Sequence, residues 1–158
     1  METYAEFHER RGRTKGRKIG RVEGRVEGHR DGHGFVVPDD GSPPVYLAPQ
    51  EMRTVLHRDR VRVRIVRLDR KGRPEGRVLD IVERRKAPII GRLLYEGGHW
   101  IVAPEDRRYG QDILIPKNAT ATATTGQVVS VELTEPPSLH AQPAGRVVEV
   151  LGEIDDPG

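Results

Sequence analysis

The sequence predicts an all-β protein made of two small five-stranded barrels in tandem, and three observations predict this fold. Eighteen glycines and twelve prolines interrupt a chain of 158 residues, which is typical of many short strands joined by turns. Apolar and polar residues alternate over several short segments, as they do where successive side chains of a strand face opposite sides. These segments recur in the same order in the two halves of the chain, which indicates an internal duplication.

Five strands are predicted in the first half. The clearest one spans 60–67, where valine and isoleucine alternate with arginine. A turn at 69–74, which contains Asp, Gly and Pro, separates it from a strand at 76–82. Earlier segments comprise a strand around Val22 and Val26, strands at 35–37 and 45–47, and a weakly helical stretch at 49–56.

The second half repeats this pattern. Strands are predicted at 89–95, 100–104, 112–116, 128–133 and 145–151. Three pairs of segments match in order, namely FVVPDD (35–40) with IVAPED (101–106), DRVRVRIV (59–66) with GQVVSVEL (126–133), and GRVLDIVE (76–83) with GRVVEVLGE (145–153). Five short strands with a longer third connection are typical of the Greek-key barrel called the OB-fold. An SH3-like barrel or a sandwich is the alternative.

The predicted organisation has four parts. A basic, disordered arm at 1–19 precedes a first barrel at 20–86 and a second barrel at 87–154, and 155–158 forms a linker stub. The arm combines many charges and glycines with no apolar face. It either lies along nucleic acid or acts as a solubilising leader, and it lacks the apolar stretch of a secretory signal.

Composition excludes several classes of site. The chain has no cysteine, which rules out disulfides, thiolate metal sites and a cysteine nucleophile and agrees with a cytoplasmic location. No apolar run approaches the roughly 18–20 residues of a membrane span, so no membrane partner is expected. The six histidines show no metal-ligand spacing, and no phosphate-binding loop or nucleophile elbow appears. We therefore predict no catalytic residue, no metal and no cofactor.

The charge changes sign along the chain, although the net value is only +3. Residues 1–90 carry 22 Lys and Arg against 14 acids, whereas residues 91–158 carry five against ten. Basic side chains that meet phosphates release counterions. The first part therefore favours a polyanionic ligand, with ordinary solvated surface charge as the alternative.

Candidate binding residues cluster in the first barrel. Single-stranded nucleic acid is held by bases that stack on aromatic rings while cations follow the backbone. His33 and Phe35 are two residues apart and share a strand face, and Tyr46 lies on the next strand. A core position is the alternative for Phe35. The candidates for phosphate contact are Arg30, Arg62, Arg64 and Lys71.

The combination of segments resembles a known family. GHGFVVPDD, followed by VYLAPQEM, resembles the ribonucleoprotein-like strand pair of bacterial cold-shock domains. The longer series adds DILIP (112–116) and AQPAGRVVEVLGE (141–153) in the same order. Over about 20–158 it resembles the two consecutive cold-shock domains that precede the catalytic domain of ribonuclease R.

The resemblance implies a module that binds single-stranded RNA and guides it into the catalytic domain of a 3′-to-5′ exoribonuclease. Such a domain, expected in cis, uses clustered aspartates, Mg²⁺ and a water, and this sequence has no such cluster. Asp155 and Asp156 fall in the predicted linker, so Mg²⁺ is expected only in the absent domain. Single-stranded DNA is a second candidate ligand. The alternative functions are a stand-alone RNA chaperone, a protein-interaction module and an independently active hydrolase.

The second copy departs from the family pattern. Ile101 replaces the expected Phe, and Trp100 stands where small residues are usual. Tyr95, His99 and Trp100 are the candidates for a local stacking surface there. A buried Trp100 is the favoured interpretation.

Overall fold

The structure is a computed structural model that describes residues 20–153. The predicted arm at 1–19, residue 154 and the predicted linker at 155–158 lie outside the described residues. The chain divides into two compact units between Arg85 and Lys86.

The first unit is a closed five-stranded barrel. Its strands are β1 (Arg21–Gly28), β2 (Gly34–Pro38), β3 (Val45–Leu47), β4 (Arg60–Leu68) and β5 (Pro74–Glu83). Around the barrel they follow the order β1-β2-β3-β5-β4, and β4 pairs with β1 to close it. A short 3₁₀ helix, Glu51–Thr54, lies in the long connection between β3 and β4.

The second unit repeats this topology. Its strands are β6 (Ile89–Glu96), β7 (His99–Pro104), β8 (Ile113–Ile115), β9 (Gln127–Glu135) and β10 (Ala144–Glu153). They close in the matching order β6-β7-β8-β10-β9, with a 3₁₀ helix at Lys117–Ala119 in the third connection. The prediction of an all-β chain with two tandem five-stranded OB-folds is confirmed. Within residues 20–153, no helix is long and apolar enough to cross a membrane.

Alternation along the strands of the first barrel builds its core. Val61 and Val63 of β4 are fully buried, whereas Arg62 between them faces outward. The buried side chains of the first barrel that share this inward direction are Val22, Val26, Val36, Val45 and Leu47. The period of two seen in the sequence therefore reports which side chains enter the barrel.

In both barrels a glycine lies where the backbones of the first two strands come unusually close together. Gly24 of β1 lies opposite Pro38, and Gly91 of β6 lies opposite Pro104. A Cβ atom on Gly24 would lie 2.7 Å from the carbonyl carbon of Val37, and one on Gly91 would lie 2.8 Å from that of Ala103. The duplication therefore extends to a backbone contact that tolerates no side chain.

Asp59, the residue before β4, is a fully buried carboxylate of the first barrel. Asp59 accepts hydrogen bonds from the backbone N–H groups of Leu56 (2.9 Å) and Arg85 (3.1 Å) and from the guanidinium of Arg84 (2.8 Å). Burial raises the pKa of the Asp59 carboxyl, and these hydrogen bonds oppose the rise. The network ties the start of β4 to the chain that follows β5.

Candidate nucleic-acid interface

Four rings form one aromatic cluster, which we define as His29, His33, Phe35 and Tyr46. Phe35 of β2 lies opposite Tyr46 of β3, and their centroids are 5.8 Å apart with the planes inclined by 70°. The His33 ring lies 5.7 Å from each of them. His29 stacks on His33 at 4.3 Å with an interplanar angle of 18°. The structure thus brings the three predicted stacking residues together and adds His29.

Phe35 faces outward because its neighbours on β2 face the core. Its side chain is 36% exposed, whereas Val36 is fully buried and Gly34 is packed against Met52. Tyr46 is half-buried between the buried Val45 and Leu47. A core position for Phe35, which the sequence left open, is therefore not what the structure shows.

The turn between β1 and β2 holds the histidines side by side. The N–H of His29 donates to the carbonyl of His33 (3.0 Å), and the N–H of Gly32 donates to the carbonyl of His29 (2.9 Å). Gly32 has a φ of +104°, a conformation that favours glycine. β2 begins at Gly34, so His33 precedes the strand and does not lie within it. Arg30 is exposed in the same turn.

A cavity of about 470 Å³ opens beside the two large rings. Its lining residues are Phe35, Pro43, Pro44, Tyr46, Asp69, Arg73, Pro74 and Glu75. Tyr46 reaches it because β3 and β5 run parallel, with Tyr46 opposite Glu75. Apart from the two rings, none of these residues was a predicted site residue. The prolines that precede β3 are a sequence signal, but the parallel pairing is visible only in the structure.

The turn between β4 and β5 supplies Asp69 and Arg73 to the lining of this cavity. Asp69 accepts hydrogen bonds from the backbone N–H groups of Arg73 (2.9 Å) and Lys71 (2.8 Å) and from the Arg73 side chain (2.7 Å). The bond from the Arg73 backbone is the largest cause of the lowered pKa of Asp69. Lys71 is therefore presented on an ordered turn, with its side chain exposed.

The predicted arginines of β4 lie elsewhere. Arg62 donates to Asp80 at 2.9 Å and lies 3.4 Å from Glu23, so carboxylates already occupy its guanidinium. Arg64 lies opposite Arg77 of β5, two residues from Glu75, which is the partner of Tyr46. Neither arginine joins the aromatic cluster, and their phosphate contacts stay predictions.

Three potential metal ligands converge in the β1–β2 turn. Donor atoms of His29, Asp31 and His33 all lie within 4.8 Å of one another. The spacing of the histidines along the chain indicated no metal-ligand set, and the fold brings two of them together with Asp31 in space. The turn doubles the chain back and brings His29 and His33 side by side.

The second barrel carries a smaller pair of rings. Tyr95 of β6 lies opposite Trp100 of β7, with centroids 5.0 Å apart and planes inclined by 65°. Tyr95 is exposed and Trp100 is half-buried, so the expected burial of Trp100 is only partial. His99 is exposed at the start of β7. Their binding role stays a prediction.

The positions of Phe35 and Tyr46 are aliphatic in the second barrel. Ile101 lies opposite Leu114 between β7 and β8, in the register that Phe35 and Tyr46 occupy between β2 and β3. Ile101 is only 8% exposed. These two positions of the second barrel therefore offer no ring on which a base could stack.

Comparison with known protein families agrees with the geometry. Residues 24–81 match the family described as Ribonuclease B OB domain, and residues 101–158 match the family described as Cold shock domain. The chain is 42% identical to ribonuclease R of Acidithiobacillus ferrooxidans over 127 residues, which are 79% of this chain and 29% of that protein. It is 38% identical to ribonuclease R of Escherichia coli over 120 residues, which are 76% of this chain and 15% of that protein.

Solved structures share the fold. Mycoplasma genitalium RNase R aligns with a TM-score of 0.72 and 17% identity, covering 86% of this chain and 22% of that one. Yeast Ssd1, described as a pseudonuclease, aligns with a TM-score of 0.73 and 16% identity, covering 89% and 24%. The chain thus spans less than a third of each of these relatives. The matches confirm the resemblance drawn from the sequence: this chain carries the N-terminal OB-fold region of the ribonuclease R family.

Proposed function

We propose that the first barrel binds single-stranded RNA and guides it toward the catalytic domain of a ribonuclease R-like 3′-to-5′ exoribonuclease. The observation that carries this proposal is the contact between the exposed Phe35 and the half-buried Tyr46 in the lining of the cavity. Partly exposed rings gain less from burial than core rings do, so their exposure favours a binding role.

Base stacking on the rings and phosphate contacts with basic side chains would both contribute to the free energy of RNA binding. Each base that stacks on an aromatic side chain contributes roughly 1–3 kcal/mol. Arg30 and Lys71 are exposed in the two turns that border the cluster and the cavity, where a phosphate backbone that leaves the rings would pass. Because stacking and phosphate contacts distinguish few base edges, we expect weak sequence preference.

The relatives support RNA as the ligand. The M. genitalium RNase R structure is described as a complex with ribose-methylated single-stranded RNA. Single-stranded DNA offers the same bases and phosphates, so competition between matched RNA and DNA oligonucleotides is the experiment that separates them. Guidance requires a catalytic domain in cis, and Mg²⁺ would belong to that domain.

A salt titration tests the binding proposal. Fluorescence anisotropy with labelled oligo(A) and oligo(U) should give affinity that falls as salt rises. The combined variant His33→Ala, Phe35→Ala and Tyr46→Ala should bind far more weakly than the unaltered chain. Val37→Ala is the matched control, since Val37 is exposed on the same strand face as Phe35. Affinity that ignores salt, or survives the combined variant, would overturn the proposal.

Guidance and the alternative functions need separate assays. In a chain that includes the catalytic domain, the same combined variant should shorten the tracts degraded per binding event. Strand opening of a labelled RNA hairpin by this chain alone would favour an RNA chaperone. Shortening of RNA by this chain with Mg²⁺ would show independent activity, and a protein partner that binds undisturbed by competing RNA would favour an interaction module.

A further inference from the structure

We propose that the β1–β2 turn holds one Zn²⁺ ion between His29, Asp31 and His33. These three residues lie within five positions of one another, and their donor atoms all fall within 4.8 Å of one another. The inference rests on this turn alone and does not depend on RNA binding.

The backbone sets the two imidazoles next to each other before any ion binds. Two hydrogen bonds across the turn, His29 N–H to the His33 carbonyl and Gly32 N–H to the His29 carbonyl, fix the ends of the loop at 3.0 and 2.9 Å. The rings stack with centroids 4.3 Å apart. Part of the ordering that a metal site requires is therefore already present in the fold.

Ring rotation is still required, because the lone pairs of two stacked imidazoles point side by side and not toward one ion. Zinc–nitrogen bonds of 2.0–2.1 Å in a tetrahedral site place neighbouring donors roughly 3.4 Å apart. The side chains of His29 and Asp31 are 44% and 69% exposed, and Nδ1 of His29 is already 3.5 Å from Oδ2 of Asp31. Such exposed side chains can converge by rotation without disturbing the core.

One existing contact would be exchanged. The backbone N–H of Asp31 donates to Nδ1 of His29 at 3.1 Å, so a zinc ion at Nδ1 would replace that hydrogen bond. The N–H lies at an exposed turn and can bond to water instead. The net loss from an exchange of this kind is modest, because the N–H remains hydrogen-bonded.

The donor set selects the class of metal. Two imidazoles and one carboxylate suit Zn²⁺ and similar transition-metal ions, whereas Mg²⁺ and Ca²⁺ prefer oxygen ligands throughout. Three protein ligands leave one tetrahedral position for water or another group. Because His33 lies 5.7 Å from the rings of both Phe35 and Tyr46, the ion would sit next to these two rings.

Imidazole NMR of the whole metal-free chain, with ZnCl₂ added and no RNA present, tests the site directly. One equivalent of Zn²⁺ should shift the ring resonances of His29 and His33 and leave those of His57, His99 and His140 in place. Equimolar Mg²⁺ should produce neither shift.

Calorimetry of variants supplies the second measurement. His29→Gln and His33→Gln should each weaken Zn²⁺ binding at least about tenfold, the lower end of what even indirect ligand support contributes. Asp31→Asn should weaken it as well. His99→Gln and His8→Gln are the controls and should bind Zn²⁺ as the unaltered chain does.

Two outcomes would overturn the site. The site is wrong if Zn²⁺ shifts the ring resonances of neither His29 nor His33 in the unaltered chain. This result does not depend on whether the variants fold. Undiminished binding in His33→Gln, with a thermal melt that shows an intact barrel, would overturn the site independently.

Discussion

Phe35 and Tyr46 lie directly opposite each other on β2 and β3, and their rings meet edge to face with centroids 5.8 Å apart. Across the barrel surface, Glu27 of β1 flanks Phe35 and Glu75 of β5 flanks Tyr46. In the second barrel the four corresponding register positions hold Leu94, Ile101, Leu114 and Ala144. The duplicated fold therefore presents a stacking surface at this place in only one of its two copies.

Loss of one ring should weaken RNA binding measurably. Tyr46→Ala removes a stacking surface while Val45 and Leu47 keep β3 in the core, so we expect a loss of roughly 1–3 kcal/mol in binding free energy. Anisotropy with oligo(U) at fixed low salt provides the measurement, and Val37→Ala should bind normally. Equal affinities for Tyr46→Ala and the unaltered chain would mean that bases do not stack there.

Removal of single charges should show whether RNA passes the turn that holds Lys71 or the arginines of β4. Lys71→Gln, in the turn that supplies Asp69 and Arg73 to the cavity, should reduce the slope of log affinity against log salt by about 0.7, the value for one phosphate contact on a single strand. Arg62→Gln should change the slope much less, because the carboxylates of Asp80 and Glu23 already engage the Arg62 guanidinium. A larger change for Arg62→Gln would place the RNA across β4 instead.

A methyl group at Gly24 should destabilise the first barrel. The added Cβ would lie 2.7 Å from the carbonyl carbon of Val37, and forced overpacking of this kind typically costs about 1–3 kcal/mol or more. Thermal melting followed by circular dichroism should show a lower transition. Gly20→Ala is the control, since its Cβ would meet only the Ile65 carbonyl oxygen at 3.9 Å. Equal melting of both variants would mean that β1 and β2 can separate freely.

Acid should weaken the fold in part through Glu23. The side-chain hydrogen bond from Arg60 is the main cause that lowers the pKa of Glu23 below 4.5. The folded chain therefore binds this proton less tightly than the unfolded chain, and the associated stability is present above pH 4.5 and lost as pH falls through the lower folded value. Glu23→Gln should have a lower free energy of unfolding at neutral pH, and this free energy should fall less steeply as the pH is lowered.

Urea unfolding from pH 7 to pH 3 measures this effect. The difference between the unaltered chain and Glu23→Gln should shrink as the pH falls. Glu27→Gln is the control on the same strand, since the described residues show no ion pair for Glu27. A difference that stays constant with pH would exclude Glu23 from the acid response.

The sequence alone determined the strands, their number and their repetition. Alternation of side chains is a local property with a period of two, so it is visible in residues 60–67 without any knowledge of their neighbours. The same local pattern placed Phe35 and Tyr46 on successive strands. The duplicated landmarks then predicted that the second barrel would repeat the first.

Only the tertiary structure decided which side chains meet. The parallel pairing of β3 with β5 brings Glu75 beside Tyr46 and forms the cavity, and the β1–β2 turn brings His29 against His33. The sequence predicted that Arg62 contacts phosphate, but in the structure it forms ion pairs with carboxylates of the neighbouring strands. Pairing and register join residues far apart in the chain, so a local pattern cannot specify them.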